Sequence, residues 1–251
     1  MKRSKIFLST IAPDAADAAR QNGLGLEIAE YCTAWNMDEH FSETHAIVEQ
    51  EIHGVNRRLL HAPFSELFPC AVDPKARELA RFRYRQAIAL AKRYGGEKVV
   101  IHGGFHPKLY FPCWYTEQSI LFWRDFLKED PGVDIVLENV LEEQPEMLLD
   151  ILREVNHPRL RLCLDVGHVN AYSPVPAERW LEDCAPWLSH FHIHNNDGAC
   201  DSHSLPGDGT LFLDTLLRQA EAFCPQATVT MEVRQAYPTV MWLREQRIWE
   251  D

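Results

Sequence analysis

Eight short runs of β-forming residues recur along this 251-residue chain, and longer segments with helical spacing separate them. Parallel strands need a crossover helix between them, and eight such strands close into a barrel. The alternation therefore predicts an α/β fold, a (β/α)8 TIM barrel, formed as a single domain by residues 1–251. The runs are KIFLST (5–10), LGLEIAEY (24–31), RLLHAPF (58–64), KVVIHGGF (98–105), DIVLENV (134–140), LRLCLDVGH (160–168), LSHFHIHNND (188–197) and ATVTMEVR (227–234).

The segments between these runs have the character of helices. Residues 73–96 place apolar side chains three and four positions apart and end in Gly95 and Gly96, which suit a helix C-terminus. Segments 142–155, 210–223 and 238–251 behave in the same way. An open, doubly wound sheet is the alternative, but no glycine-rich dinucleotide fingerprint follows the first strand, where the sequence reads STIAPDAADAAR.

Composition and charge narrow the class of protein. The 25 Lys and Arg against 37 Asp and Glu give a net charge of -12, which argues against a basic nucleic-acid-binding face. We find no apolar run long enough to span a bilayer, and because the N-terminal apolar stretch before Asp14 is short, we expect no signal peptide. We therefore expect a cytoplasmic protein with a small-molecule substrate, and a homo-oligomer is compatible with the sequence. The seven cysteines form no CxxC pair, so they are predicted to be free thiols.

Metal-ligating residue types stand at or near the ends of six consecutive predicted strands, where TIM barrels carry their active sites. Converging carboxylates would raise one another's pKa unless a cation neutralised them. Histidine and carboxylate ligands without cysteine suit zinc, and a carboxylate-rich subset suits manganese. The pattern therefore predicts a divalent metal site. Its candidate ligands are His61, His102, Glu138, Asp165, His168, His194, Asp201, His203 and Glu232.

The motifs HAPF, VIHGG, LENV, LDVGH, HNND, DSHSLPGDG and MEV follow one another along the chain. In that order they resemble the xylose isomerase-like TIM-barrel superfamily, which contains endonuclease IV and many sugar isomerases and epimerases. The resemblance implies a metal core of Glu138, Asp165, His194 and Glu232.

Similarity to the endonuclease IV branch implies two further zinc sites. The first would use His61 and His102, with Glu138 bridging to the core metal. The second would use His168, Asp201 and His203. His190 and His192 belong to neither set, and we interpret them as packing or supporting groups below the metal.

The endonuclease IV pattern is incomplete after His61. That branch has an aromatic residue followed by an apolar one that help to penetrate DNA, whereas here Phe64 is followed by Ser65. We therefore expect a metal-assisted phosphoester hydrolase with two or three zinc ions, acting on a phosphorylated small molecule and not on DNA. A nucleotide-loop phosphodiesterase of corrinoid metabolism is one such enzyme. Glu138 would bridge the metals and handle protons.

The alternative hypothesis is a sugar or sugar-phosphate isomerase or 3-epimerase. It needs one metal, with Glu138 and Glu232 as the catalytic pair that removes and returns a carbon-bound proton. A sugar-binding barrel without turnover is least favoured, because no residue of the ligand set is missing. Under any of these hypotheses, Glu27, Phe64 and Arg234 are candidate substrate-binding residues.

Overall fold

A computed structural model describes residues 1–249, and its eight parallel strands close into a barrel in sequence order, with the eighth strand pairing with the first. Each strand lies inside the run that the sequence predicts, so the prediction of a (β/α)8 barrel is confirmed. The strands are β1 (Ile6–Ser9), β2 (Gly25–Ile28), β3 (Arg58–His61), β4 (Lys98–His102), β5 (Asp134–Glu138), β6 (Leu160–Asp165), β7 (Leu188–Ile193) and β8 (Thr228–Met231).

Helices surround the barrel and supply the crossovers. They are α1 (Ala15–Asn22), α2 (Phe41–Ile52), α3 (Pro74–Arg93), α4 (Pro112–Phe126), α5 (Glu146–Val155), α6 (Val166–Tyr172), α7 (Ala177–Cys184), α8 (Leu213–Phe223) and α9 (Ala236–Glu245). Helix α3 begins where the side chain of Asp73 accepts a hydrogen bond from the backbone N–H of Lys75, 2.8 Å away. It ends before Gly95, whose φ of +67° suits the left-handed position after a helix.

One crossover is divided between two helices, and one helical prediction needs adjustment. The crossover after β6 consists of two short helices, α6 and α7. The last helix begins at Ala236, before the predicted segment 238–251, and ends at Glu245. Residues 250 and 251 of that prediction lie outside the described residues. Within residues 1–249, no helix is both long and apolar enough to cross a membrane.

The two parities of each strand face different environments. On β7, Phe191 and Ile193 join the large apolar core between the strands and the helices. The alternate residues His190 and His192 are fully buried inside the barrel. Val100, Val136 and Cys163 form a small apolar cluster that is separate from this large core. Polar side chains occupy much of the remaining interior, which is the feature that the function must explain.

Gly25 on β2 allows the bottom of the barrel to close. A Cβ atom at this position would overlap the ring of Phe7, which is completely buried. We expect Gly25→Ala to lower the free energy of unfolding by about 1–3 kcal/mol, because overpacking forces neighbouring side chains from their preferred positions. Urea denaturation measures the change. Gly207→Ala is the control, since its Cβ would meet nothing closer than 3.9 Å; an equal loss in both variants would contradict the prediction.

Candidate functional site

A cavity of about 630 Å³ opens at the carboxyl ends of the strands. Asp165 and His194, completely buried, lie just below its surface. Two of the predicted substrate-binding residues, Phe64 and Arg234, line the cavity. The third, Glu27, does not line it. Seven of the nine predicted ligands line the cavity, namely His61, His102, Glu138, His168, Asp201, His203 and Glu232.

Glu138, the last residue of β5, stands at the centre of one group of ligand-type side chains. Its Oε2 atom is 3.2 Å from Nε2 of His61 and 3.4 Å from Nε2 of His102. Its Oε1 atom is 3.4 Å from Nδ1 of His168. His61 and His102 end β3 and β4, so three consecutive strands direct their last side chains to one point.

A second group forms around Asp201 in the loop after β7. Its Oδ2 atom is 3.1 Å from Nε2 of His203 and 3.3 Å from Nε2 of His168. Its Oδ1 atom is 3.4 Å from Nε2 of His194, which is itself 3.1 Å from Oδ1 of Asp165. His203 has a φ of +49°, a conformation that non-glycine residues adopt only when their surroundings hold them there.

Glu232, the residue that follows β8, connects the two groups. Its backbone N–H donates to the carbonyl of Ile193, and its own carbonyl accepts from Nδ1 of His203 at 2.9 Å. Its carboxylate Oε2 is 3.0 Å from Nδ1 of His192. The same Nδ1 atom is 3.1 Å from Oε1 of Glu138. All nine predicted ligands therefore belong to one connected network, in which His192 has a more direct place than the sequence indicates.

Backbone contacts that the sequence analysis missed hold this network in place. The side chain of Asn139 brackets Asp165: its Nδ2 donates to the Asp165 carbonyl at 3.0 Å, and its Oδ1 accepts from the Asp165 N–H at 2.8 Å. Gly167 lets α6 approach the barrel, because a Cβ there would overlap the ring of His194. The position of Asn139 directly after Glu138 in the LENV motif is the one sequence signal for its role.

Histidines and carboxylates compensate one another electrostatically. Burial would raise the pKa of Glu138, but the adjacent His192 holds it well below its usual value. Burial lowers the pKa of His168, yet the charges of Asp165 and Asp201 raise it to about 10. These contacts favour the ionised carboxylates, which is the form that binds a metal, whereas His168 would have to lose its proton to act as a ligand.

The donor set fits a divalent cation. Of the buried side-chain atoms that make no hydrogen bond among residues 1–249, three belong to the predicted ligands: Oδ2 of Asp165, Nε2 of His194 and Oδ1 of Asp201. Buried polar atoms without partners are uncommon and call for an ion or a water. Several triplets of histidine and acidic residues also place their ligand atoms within 4.8 Å of one another, including His61, His102 and Glu138. Nitrogen and oxygen donors in this combination suit zinc and manganese.

Two curated relatives match parts of this chain. An uncharacterised protein of Methanocaldococcus jannaschii is 32% identical over 179 residues, which make up 65% of this chain and 60% of that protein. Fructoselysine 3-epimerase of Escherichia coli O157:H7 is 29% identical over 120 residues, or 43% of this chain and 42% of the enzyme. This chain thus spans less than two thirds of the length of either relative.

Solved structures match nearly the whole barrel. A D-tagatose 3-epimerase-like protein superposes with a TM-score of 0.80 at 22% identity, covering 97% of both chains. A protein of Thermus thermophilus, soaked with ZnCl2, superposes with a TM-score of 0.75 at 25% identity, covering 96% of this chain and 97% of that one.

These comparisons correct the predicted reaction. The prediction of a phosphoester hydrolase, including a corrinoid nucleotide-loop phosphodiesterase, is wrong, because relatives of this chain with a stated activity are fructoselysine 3-epimerases. The error has a physical origin: the same histidine and carboxylate ligands serve hydrolysis and proton transfer, so counting ligands does not identify the reaction. The family described as xylose isomerase-like TIM barrel matches residues 19–249, and the chain therefore belongs to that family.

Proposed function

We propose that this protein is a divalent-metal-dependent sugar isomerase or 3-epimerase. One observation carries the proposal: Glu138 and Glu232, from different strands of the barrel, converge on a single ring nitrogen of His192 at 3.1 and 3.0 Å. Two carboxylates that meet at one cavity can act on one substrate carbon from two directions. The similarity to fructoselysine 3-epimerase supports this chemistry.

Glu138, Asp165, His194 and Glu232 would hold one zinc or manganese ion in this proposal. When bound, such an ion would chelate neighbouring sugar oxygens and acidify the proton on the adjacent carbon. The partnerless atoms of Asp165 and His194 support their assignment as ligands. The seven free thiols suit a reducing compartment, and we place the enzyme in the cytoplasm.

The protein's own residues then carry out the proton transfer. One ionised carboxylate of the pair takes the proton from the sugar carbon and releases it to solvent, and the other relays a proton from solvent to the opposite face of that carbon. His61, 3.2 Å from Oε2 of Glu138, keeps that carboxylate oriented. Phe64 stacks on His102 with 4.5 Å between ring centroids and forms an apolar wall that excludes water from one side of the cavity.

Arg234 extends the proposal to phosphorylated sugars. Among the described residues it is the one Lys or Arg that lines the cavity, and its side chain is exposed. An arginine at the rim of an acidic cavity suits a substrate phosphate.

We expect Arg234→Met to lower kcat/KM for a ketose phosphate by about 10- to 100-fold, because a hydrogen bond to a charged group contributes about 1.5–3 kcal/mol. The corresponding unphosphorylated ketose should be converted with little change. Assays of both substrates with both proteins make the comparison. Equal losses on the two sugars would remove Arg234 as a phosphate contact.

Glu138→Gln tests the catalytic pair. The variant keeps the shape of the side chain and removes its charge, so epimerisation should fall by about 10²- to 10⁴-fold, the usual contribution of a general acid or base. Hydrogen exchange at the substrate carbon, measured by NMR in D₂O, should fall in parallel. Glu117→Gln, an exposed position on α4, is the matched control. Retention of wild-type turnover by Glu138→Gln would exclude Glu138 from the mechanism.

Metal removal tests the cofactor. Protein purified without chelators should contain about one equivalent of a divalent ion, the occupancy that a single four-residue site requires. EDTA should abolish epimerisation, and added Mn²⁺ or Zn²⁺ should restore it. Elemental analysis by mass spectrometry gives the stoichiometry. Full activity in metal-free protein would overturn the cofactor assignment, and two or three equivalents would overturn the single-ion arrangement.

The outer ligand-type residues have a different role in an epimerase. If Asp201 and His203 contact sugar hydroxyls, the double variant Asp201→Asn, His203→Ala should keep its metal and show a KM raised by about tenfold or more. Steady-state kinetics and metal analysis of the same preparation separate the two effects. Loss of the metal from this variant would instead make the pair ligands.

A further inference from the structure

A column of buried polar side chains continues below the proposed active site. At its lower end, Nζ of Lys98 on β4 crosses the barrel and donates to Oγ1 of Thr228 at 2.8 Å. That same Oγ1 atom is 2.7 Å from Nδ1 of His190. The Thr228 hydroxyl also donates to the carbonyl of Ser189, 3.4 Å away. The other ring nitrogen of His190, Nε2, points upwards to Oε2 of Glu27 at 3.2 Å, and it carries a proton there because an ionised carboxylate only accepts hydrogen bonds.

Glu27 is the next member of the column, and it is completely buried. Its Oε2 atom accepts from the hydroxyl of Thr230 at 2.5 Å and from Nε2 of His190 at 3.2 Å. Both of its oxygens lie near Nε2 of His192, at 3.0 Å for Oε1 and 3.2 Å for Oε2. Donors on three sides thus fix a carboxylate that does not reach the cavity.

His192 connects this carboxylate to the proposed catalytic pair. Its Nε2 atom faces Glu27, and its Nδ1 atom faces Glu138 and Glu232. The two ring nitrogens therefore face carboxylates on opposite sides, at 3.0 to 3.2 Å. The orientation of the ring, and with it the position of Nδ1 between the two catalytic carboxylates, is set by the carboxylate at the opposite nitrogen.

We infer that Glu27 is a positioning residue, which fixes the His192 ring so that its Nδ1 atom stays between Glu138 and Glu232 and holds them at their working separation. The inference rests on the proposed function, because Glu138 and Glu232 are the pair assigned there to metal binding and proton transfer. Glu27 itself would touch neither the substrate nor the metal. Thr230 and His190, which both contact its Oε2 atom, keep Glu27 from turning away.

Glu27→Gln tests this role with the metal-free protein and Co²⁺ as the probe. The amide keeps the shape but presents a weaker acceptor to His192, so the Co²⁺ dissociation constant should rise by about 10- to 100-fold, the usual effect of removing a residue that supports a metal ligand. The visible absorption bands of bound Co²⁺ should shift, since they report ligand geometry. In the epimerase assay, kcat should fall by a similar factor while KM changes less than about threefold.

Lys98→Met is the matched control, because it also removes a buried charge from the column but contacts neither Glu27 nor His192. It should alter the melting temperature and leave Co²⁺ affinity and spectrum unchanged. Thr230→Val, which removes only the hydroxyl that holds Glu27, should weaken Co²⁺ binding in the same direction as Glu27→Gln and serves if the latter does not fold.

Unchanged Co²⁺ affinity and spectrum in a folded Glu27→Gln or Thr230→Val variant would overturn the positioning role, as would an equal effect of Lys98→Met. Failure of the proposed function looks different. In that case the wild-type protein would bind Co²⁺ without epimerising any ketose, while the comparison of Co²⁺ affinities among the variants would still decide the role of Glu27.

Discussion

The rest of this structure depends on the burial of four carboxylates inside a barrel of apolar strands. Glu27, Glu138, Asp165 and Glu232 are nearly or completely buried. An isolated ionised carboxylate in such surroundings would cost many kcal/mol, so each one needs a partner. Histidine supplies it: His192 alone contacts Glu27, Glu138 and Glu232. Removing a histidine partner would leave the buried carboxylates to repel one another. The stability of the interior therefore depends on all of these residues together.

In a parallel barrel, a short alternating sequence pattern is enough to produce this arrangement. On β7 the alternation of His190, Phe191, His192 and Ile193 sends two aliphatic or aromatic side chains to the outer core and two imidazoles to the interior. The side chains that point out of the barrel stabilise the fold by packing against the helices. The side chains that point into the barrel can therefore be polar. The loops after the strands can change without disturbing the inward or the outward side chains.

The sequence predicts the barrel and the convergence of nine ligand-type residues well, since both follow from strand order and from where strands end. The sequence predicts the depth of Glu27 in the barrel less accurately. Glu27 is near the end of its apolar run, but its register partner on β3 is Leu59, two residues before His61. The stagger between neighbouring strands therefore puts Glu27 one layer deeper than His61, below the cavity. A single strand carries no information on stagger, so this could only be learned from the closed sheet.

Like the depth of Glu27, the reaction cannot be determined from the local sequence pattern. Three features distinguish hydrolysis from proton transfer physically: the number of ions, the separation of the carboxylates and the groups that face the substrate. Only the separation of the carboxylates follows from the rigid strands. Here Glu138 and Glu232 both lie close to the same nitrogen of His192. Phe64 and Arg234, which face the cavity from segments beyond the strand ends, are free to set the substrate. Under the proposed function, the barrel interior would fix the geometry of proton transfer, and the loops would determine which substrate is brought to it.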